Sequence, residues 1–415
     1  MSERREDAER SRSERTASGV GRTGPLRDVR ILDCTQALAG PYCTMLLADL
    51  GADVVKVEPP HGDMARPLGP SPKDREGCDY GGYFASVNRN KRSVALDLKE
   101  AGDRDVFLQL VESADALVEN ARVGVMDRLG LGYETLRDRN PRLVYVAIRG
   151  FGDPRTGESP YAHWPAFDIV AQSMGGMVGL TGPRGSTGMP AGASVGDLFP
   201  GTLAALGLVS ALLSARGSGR GQFVDVAMYD AVLSLCENIV YKYAADGTIE
   251  SPRGQGHPVL VPFDVYETSD GAVAIAAPAD AQWKLLCEAM GRPDLVEDER
   301  TRNVFARHAH RDFTNECILA WSRARSTREV VERLGGRVPV GPVQNAEDIF
   351  RDPHARVREM LVEVEQPGAN PRLTLAGVPI KLTGTPSGVY RRPPLVGEHT
   401  VEVLAEAGIA RKEKR

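Results

Sequence analysis

A strand–helix–strand rhythm, beginning near residue 28, most constrains what this chain can become. VRILDC, ending at Cys34, is a short β-branched run and reads as a strand. In GPYCTMLLADLG, Pro41 suits a first helical turn and Gly51 suits the stop. ADVVKVEPP is the next strand, closed by Pro59 and Pro60. A βαβ unit of this kind specifies a parallel sheet. The alternation continues through RSVALDL as a strand, DRDVFLQLVESAD as a helix and ALVEN as a strand. GVMDRLGLGYETLRDRN reads as two helical pieces around a glycine break, and RLVYVAIRGFG as a strand. The expected fold class is α/β, with a large Rossmann-like, doubly wound domain.

Beyond this point the rhythm changes. AFDIVAQSMGGMVGLTGP reads as a helix entering a Gly-rich loop. A long apolar helix follows Asp197, and GQFVDVAMYDAVLSLCENIVYKYAADG reads as another, with no strand between them. Such a pair suggests an arm or a packing layer. Residues 247–262 are rich in Pro and Gly and read as a linker. DVYETSDGAVAIAAP carries a hairpin signal, and two helices follow. The expected organisation is a disordered, mixed-charge leader over 1–27, a large domain over 28–246, a small α+β domain over 263–335 and a return to the large domain over 336–415.

The 415 residues exceed a usual single core and agree with two domains. A net charge of −5 gives no case for a nucleic-acid binder. No membrane span is expected. The paired arginines near the N-terminus have no apolar segment behind them, so no secretory signal is expected. Six cysteines without a CxxC suggest buried free thiols and a cytoplasmic location. The seven histidines are dispersed, and no metal site is expected.

An α/β sheet first suggests a dinucleotide site, but the turn after the first strand has only Gly40 where GxGxxG is required. No P-loop occurs. Arg89, Lys91, Arg92 and Lys99 cluster around one strand. They suit either a phosphate site at the sheet rim or a solvated charged face. Asn120 stands at a strand end, where open sheets bind ligands, with Arg122 and Arg128 beyond it. A turn Asn with two surface arginines is the alternative. Asp168 reads as a first-turn acid of its helix, and nothing in the sequence brings His163 to it. Asp197 follows Gly196 at the front of the apolar helix. The N–H groups and dipole there would hold a carboxylate ionised and oriented. That describes a helix cap and a carboxylate nucleophile equally well.

Several stretches together resemble the class III CoA-transferases, the family of formyl-CoA transferase and carnitine CoA-transferase. They are AGPYCTMLLADLGADVVKVEPP, NRNKRSVALDLK, LVENARVGVMDRLGLGYE, DIVAQSMGGMVGLTG, VGDLFPG, GRGQFVDVAMYDAVL and PLVGEHTVEVLAEAG. The resemblance spans about residues 30–409. It implies an interlocked, ring-shaped homodimer whose large domain is built from both ends of the chain. It implies that Asp197 is the covalent nucleophile. It places Ala39, Leu98, Lys99, Asn120, Ala121, Arg122 and Arg128 where family members contact coenzyme A. The partners implied are an acyl-CoA and a small carboxylic acid, with the CoA thioester as substrate and no tightly bound cofactor. SMGGMVGLTG is a candidate for close backbone approach to the reacting carbonyl.

The family includes racemases similar to alpha-methylacyl-CoA racemase, which carry a His just before the acid matching Asp168. Here that position is Phe167, which cannot accept a proton, so transfer is favoured over racemisation or epimerisation. Oxalate-using members have a Gln where Leu38 stands, an Arg where Pro59 stands and a run of four glycines where RGQGHPVLVPF stands. A larger or less polar acid than oxalate is expected. The reading is a CoA-transferase working through Asp197. A same-family racemase and a non-catalytic acyl-CoA- or nucleotide-binding α/β protein are the alternatives.

Overall fold

The computed structural model describes residues 22–70, 78–367 and 372–410. By internal contacts the chain forms two units. One takes the described residues to 177, then 191–246 and 354 onward; the other takes 178–190 and 247–353.

The first unit is built on six parallel strands: β1 (Arg30–Cys34), β2 (Asp53–Glu58), β3 (Arg92–Ala95), β4 (Ala116–Glu119), β5 (Val144–Arg149) and β6 (Phe223–Ala227). They lie in the order β3-β2-β1-β4-β5-β6. β2, β4 and β5 are buried at every position, as expected of strands covered on both faces. Helices α1 (Ala39–Asp49), α2 (Gly82–Asn88), α3 (Ala101–Glu112), α4 (Val125–Arg128), α5 (Tyr133–Arg139) and α6 (Asp168–Met174) alternate with the strands or follow them. The two helical pieces around the glycine break are α4 and α5.

Helix α7 (Val195–Ser218) contacts α1, β5 and β6. Its inner face is Gly201, Ala204, Ala205, Leu208, Ala211, Leu212 and Ala215. Gly201 is required there: a Cβ on it would lie 2.5 Å from the Ala39 carbonyl oxygen. Helices α8 (Met228–Leu235) and α9 (Glu237–Asp246) follow β6. The chain returns through an antiparallel pair, β10 (Leu361–Val364) and β11 (Leu373–Ala376), and its last described helix, over Thr400–Glu406, brings Val403 and Leu404 into the sheet's core cluster.

Several expectations are corrected. A strand, β6, does lie between the long helices. FVDVA has β-branched Val224 and Val226 at alternate positions and pairs in parallel with β5 from Tyr145 to Arg149. The apolar run after it masks this short strand. Helix α7 is long and apolar enough, by length and composition, to cross a membrane, with a mean hydropathy of 1.8. Asp197 and Arg216 fall inside it, and its small-residue face is packed in the core. Segment 247–262 belongs to the second unit together with 178–190, and the return to the first comes at 354, not 336. Residues 1–21 of the expected leader lie outside the described residues. From 22 onward the chain is packed: Leu26 is buried and Arg22 pairs with Asp53 at 3.2 Å.

Three of the four cations clustered near β3 are neither a phosphate rim nor a solvated face; Lys99 alone of the four is exposed. Arg89, Lys91 and Arg92 are buried and paired with Asp49, Asp33 and Asp53 at 2.7–2.9 Å. Full burial of a charge requires such a partner.

The second unit has a three-stranded antiparallel sheet, β7 (Phe263–Glu267), β8 (Ala272–Ala276) and β9 (Val340–Pro342), with β8 central. The hairpin read at Ser269-Asp270-Gly271 is β7–β8. Trp283, Leu286, Cys287, Ile318, Trp321 and Val330 pack on it as a separate core.

Candidate active site

In the order β3-β2-β1-β4-β5-β6 the connections reverse direction between β1 and β4. Open α/β sheets bind ligands at such a switch point, beyond the carboxyl ends of the strands. A cavity of about 490 Å³ lies there in the first unit. Its wall includes Cys34, Gln36, Ala37, Leu38 and Ala39 after β1, Asn120, Ala121 and Arg122 after β4, and Arg149 and Gly150 at the end of β5. Asp197 and His163 are in the same wall, with Tyr83, Trp164 and Phe167.

Of the residues singled out in the sequence, the fold brings together Asp197, Ala39, Asn120, Ala121 and Arg122. Leu98, Lys99 and Arg128 are not in this wall. Lys99 and Arg128 are exposed, and Leu98 packs on the sheet's core cluster. Asn120 ties the two loops of the crevice together. Its Nδ2 donates to the Gln36 carbonyl at 2.8 Å, and its Oδ1 accepts the Gln36 N–H at 2.9 Å. The peptide of Ala121 is held at both ends. Its N–H donates to Glu119 at 2.6 Å, and its carbonyl accepts from Arg149, itself paired with Glu119 at 2.6 Å. Burial raises the Glu119 carboxyl to about 7, against the opposing charge of Arg149.

Asp197 is not a helix cap. Ser194 is the N-cap of α7 and makes no side-chain cap bond. The capping carboxylate comes from another helix: Asp168 Oδ1 accepts the Gly196 N–H at 2.7 Å. Its Oδ2 accepts from the buried Gln172 at 2.8 Å, and Gln172 accepts the Ala191 N–H at 2.9 Å. Gly196 is needed for this approach, since a Cβ there would lie 2.6 Å from the Asp168 carbonyl. No sequence spacing between residues 168 and 196 signals this bond.

Asp197 itself accepts no hydrogen bond from any described residue. Partial burial and the like charge of Asp168 push its carboxyl up to about 7. This corrects the expectation that the helix N-terminus alone would keep it ionised. Tyr83 is raised too, by burial and then by the charges of Asp197, Asp63 and Asp168, so it faces the carboxylate as a neutral phenol. Helix α1 begins at Ala39 in the same wall, with Leu38 as its N-cap. The Gly-rich SMGGMVGLTG is not in the wall. Its Gly175 is instead a packing site, where a Cβ would lie 2.6 Å from Val232. An unbonded carboxylate that is half ionised near neutrality, in the same wall as a helix N-terminus, is equipped for attack on a carbonyl.

The family model described as CoA-transferase family III matches residues 26–400. A succinyl-CoA:mesaconate CoA-transferase of Haloarcula hispanica is 50% identical over 386 residues, 93% of this chain and 97% of that protein. An acetyl-CoA:oxalate CoA-transferase of Acetobacter aceti is 37% identical, covering 87% and 90%. Among solved structures, a CAIB/BAIF family protein from Brucella suis superposes with a TM-score of 0.83 at 32% identity, covering 93% of this chain and all of that one.

Proposed function

The chain belongs to CoA-transferase family III, and from that premise we propose that it moves CoA from succinyl-CoA to a short dicarboxylic acid of the mesaconate class, with Asp197 as covalent carrier. The observation that carries the mechanism is the unbonded Asp197 carboxylate in the cavity wall at the switch point. The substrate class rests on the 50% identity to a succinyl-CoA:mesaconate enzyme over nearly its whole length. Leu38 and Pro59, in place of the oxalate pattern's Gln and Arg, point the same way.

The steps balance without an external reagent. An oxygen of ionised Asp197 attacks the thioester carbonyl. The C–S bond breaks, releasing CoA thiolate and leaving an anhydride between Asp197 and the donor acid. The thiolate attacks the Asp197 carbonyl, the donor carboxylate departs, and an aspartyl-CoA thioester remains. The acceptor carboxylate attacks that thioester and forms a second anhydride with release of thiolate. The thiolate then takes the acceptor acyl group, and Asp197 returns as a carboxylate. The backbone N–H groups of Leu38 and Ala39, in the same wall, are the candidate donors to the oxyanions formed. Phe167 supplies no second base, so α-proton transfer is not part of this reading.

The exposed side of α7 supports a homodimer. Leu206 and Leu213 are 63% and 73% exposed on a helix whose other face is core. Apolar exposure in a row of this kind marks a protein interface. The experiment that tests the function is incubation with succinyl-CoA, hydroxylamine trapping and mass spectrometry of the Asp197 peptide. A hydroxamate on Asp197, and succinyl-dependent formation of mesaconyl-CoA, are expected. Absence of both overturns the reading.

A further inference from the structure

We propose that Lys56 and Asp63, which do not touch the cavity, are positioning residues for the transfer: they hold the turn Thr35–Ala39 in the shape that closes the cavity against Asp197. This rests on the functional reading above. Ala37, in the middle of that turn, has φ of 65°, a left-handed conformation that is costly for a residue with a Cβ. Such a residue persists only where its surroundings over-determine it.

The surroundings here are specific. The Ala37 N–H donates to Asp63 Oδ1 at 3.2 Å, and the Ala65 N–H donates to the same oxygen at 2.9 Å. Asp63 Oδ2 pairs with Lys56 Nζ at 2.8 Å, both side chains being fully buried. Lys56 Nζ also donates to the Thr35 carbonyl at 2.7 Å. One ion pair therefore grips the turn on both sides of Gln36. Burial works against the Lys56 charge, but Asp33, Asp63 and Glu58 overcome it and hold its pKa above the usual lysine range. The turn's far side faces the reaction: Ala37, Leu38 and Ala39 share the cavity wall with Asp197. Gly201, one helical turn beyond Asp197, rests on the Ala39 carbonyl. A shift in the turn therefore changes the distance from wall to nucleophile.

The test separates positioning from stability. Asp63→Asn keeps the acceptor oxygen and removes the charge that Lys56 grips. With succinyl-CoA, kcat is expected to fall about 10- to 100-fold while KM changes less than about threefold. Adding Ala37→Gly to that variant is expected to recover most of the loss, because glycine adopts this φ without strain. A folded Asp63→Asn enzyme with unchanged kcat overturns the proposal. So does a loss that Ala37→Gly leaves untouched. Should Asp63→Asn not fold, Ala37→Val carries the test. Its β-branched side chain resists positive φ, so kcat is expected to fall about tenfold, and full kcat in the folded variant overturns the proposal. Failure of the functional reading is seen separately, as absence of the Asp197 hydroxamate in the wild-type enzyme.

Discussion

Asp33 and Asp197 are carboxylates of the same unit in opposite states. Asp33 lies fully buried beneath the sheet's carboxyl edge, and Asp197 is only partly buried at the cavity. Burial depth alone would give Asp33 the higher pKa. It is held at about 2, because Lys91 and Lys56 outweigh the cost of burial and Thr35 donates to it. Asp197, with no such partner and with Asp168 near, is pushed up to about 7. Partners, not depth, decide the charge state. One carboxylate is spent on structure, and the other is left basic.

The largest effect that sharpens this contrast is loss of Asp197. Asp197→Ala is expected to lower transfer on the order of 10⁴-fold or more and to abolish the hydroxamate. The protein remains folded, since no described bond is removed. Asp197→Asn carries a stability signature as well. A folded-state pKa above the unfolded one makes ionisation cost stability as pH rises from about 4 to 7. The Asn variant escapes that cost, so at pH 8 it is expected to be more stable than wild type by about 1 kcal/mol, after discounting for partial exposure. Denaturant titrations at pH 5 and pH 8 read the difference, which should shrink at the lower pH.

At Asp33 the same kind of change should do the reverse. Asp33→Asn leaves Lys91 buried without its carboxylate and is expected to destabilise by about 3–5 kcal/mol. Because the Asp33 pKa is depressed, its contribution is present above about pH 4 and is lost as pH falls toward 2. Urea unfolding at pH 7 and pH 3 follows it. If Asp33→Asn costs activity more than stability, the division between structural and reacting carboxylates fails.

A smaller effect concerns the neighbour. In the wild type, kcat/KM is expected to fall as pH drops below about 7, because protonated Asp197 is not a nucleophile. Asp168→Asn removes the like charge while keeping an oxygen for the Gly196 N–H. The acid limb should then move to lower pH. An unmoved limb shows that burial alone sets the Asp197 pKa.

The parallel sheet was legible because strands buried on both faces leave continuous apolar runs between helices, as in ADVVKVE. Strand β6 was not, because five residues ahead of a longer apolar helix carry too little period-2 signal to stand out. Asp197 was legible from the stretch around it, but not its state. The carboxylate that caps α7 comes from Asp168, 28 residues before the Gly196 N–H it accepts, and only the folded packing joins them. The burial of Arg89, Lys91 and Arg92 was hidden for the same reason. Their partners Asp33, Asp49 and Asp53 lie on other elements, and a charge run looks the same whether solvent or carboxylates surround it.

Asn120 yields the smallest effect and the finest test of where the two regions meet. The sequence placed it at a strand end, with a ligand contact and a turn role both open. The structure uses both ends of its amide on the Gln36 backbone, at 2.8 and 2.9 Å. That joins the loop after β4 to the loop after β1 across the switch point. Asn120→Ala removes both bonds at an exposed position, where water replaces them, so stability should fall by only about 1 kcal/mol. The crevice walls lose their link, so KM for succinyl-CoA is expected to rise about five- to tenfold while kcat holds within about twofold. Asn120→Asp keeps the acceptor for the Gln36 N–H and loses the donor to the Gln36 carbonyl, so it should fall between wild type and Asn120→Ala. If kcat falls with KM unchanged in Asn120→Ala, the loops serve the chemistry at Asp197 directly, and the separation between a binding crevice and a reacting carboxylate does not hold.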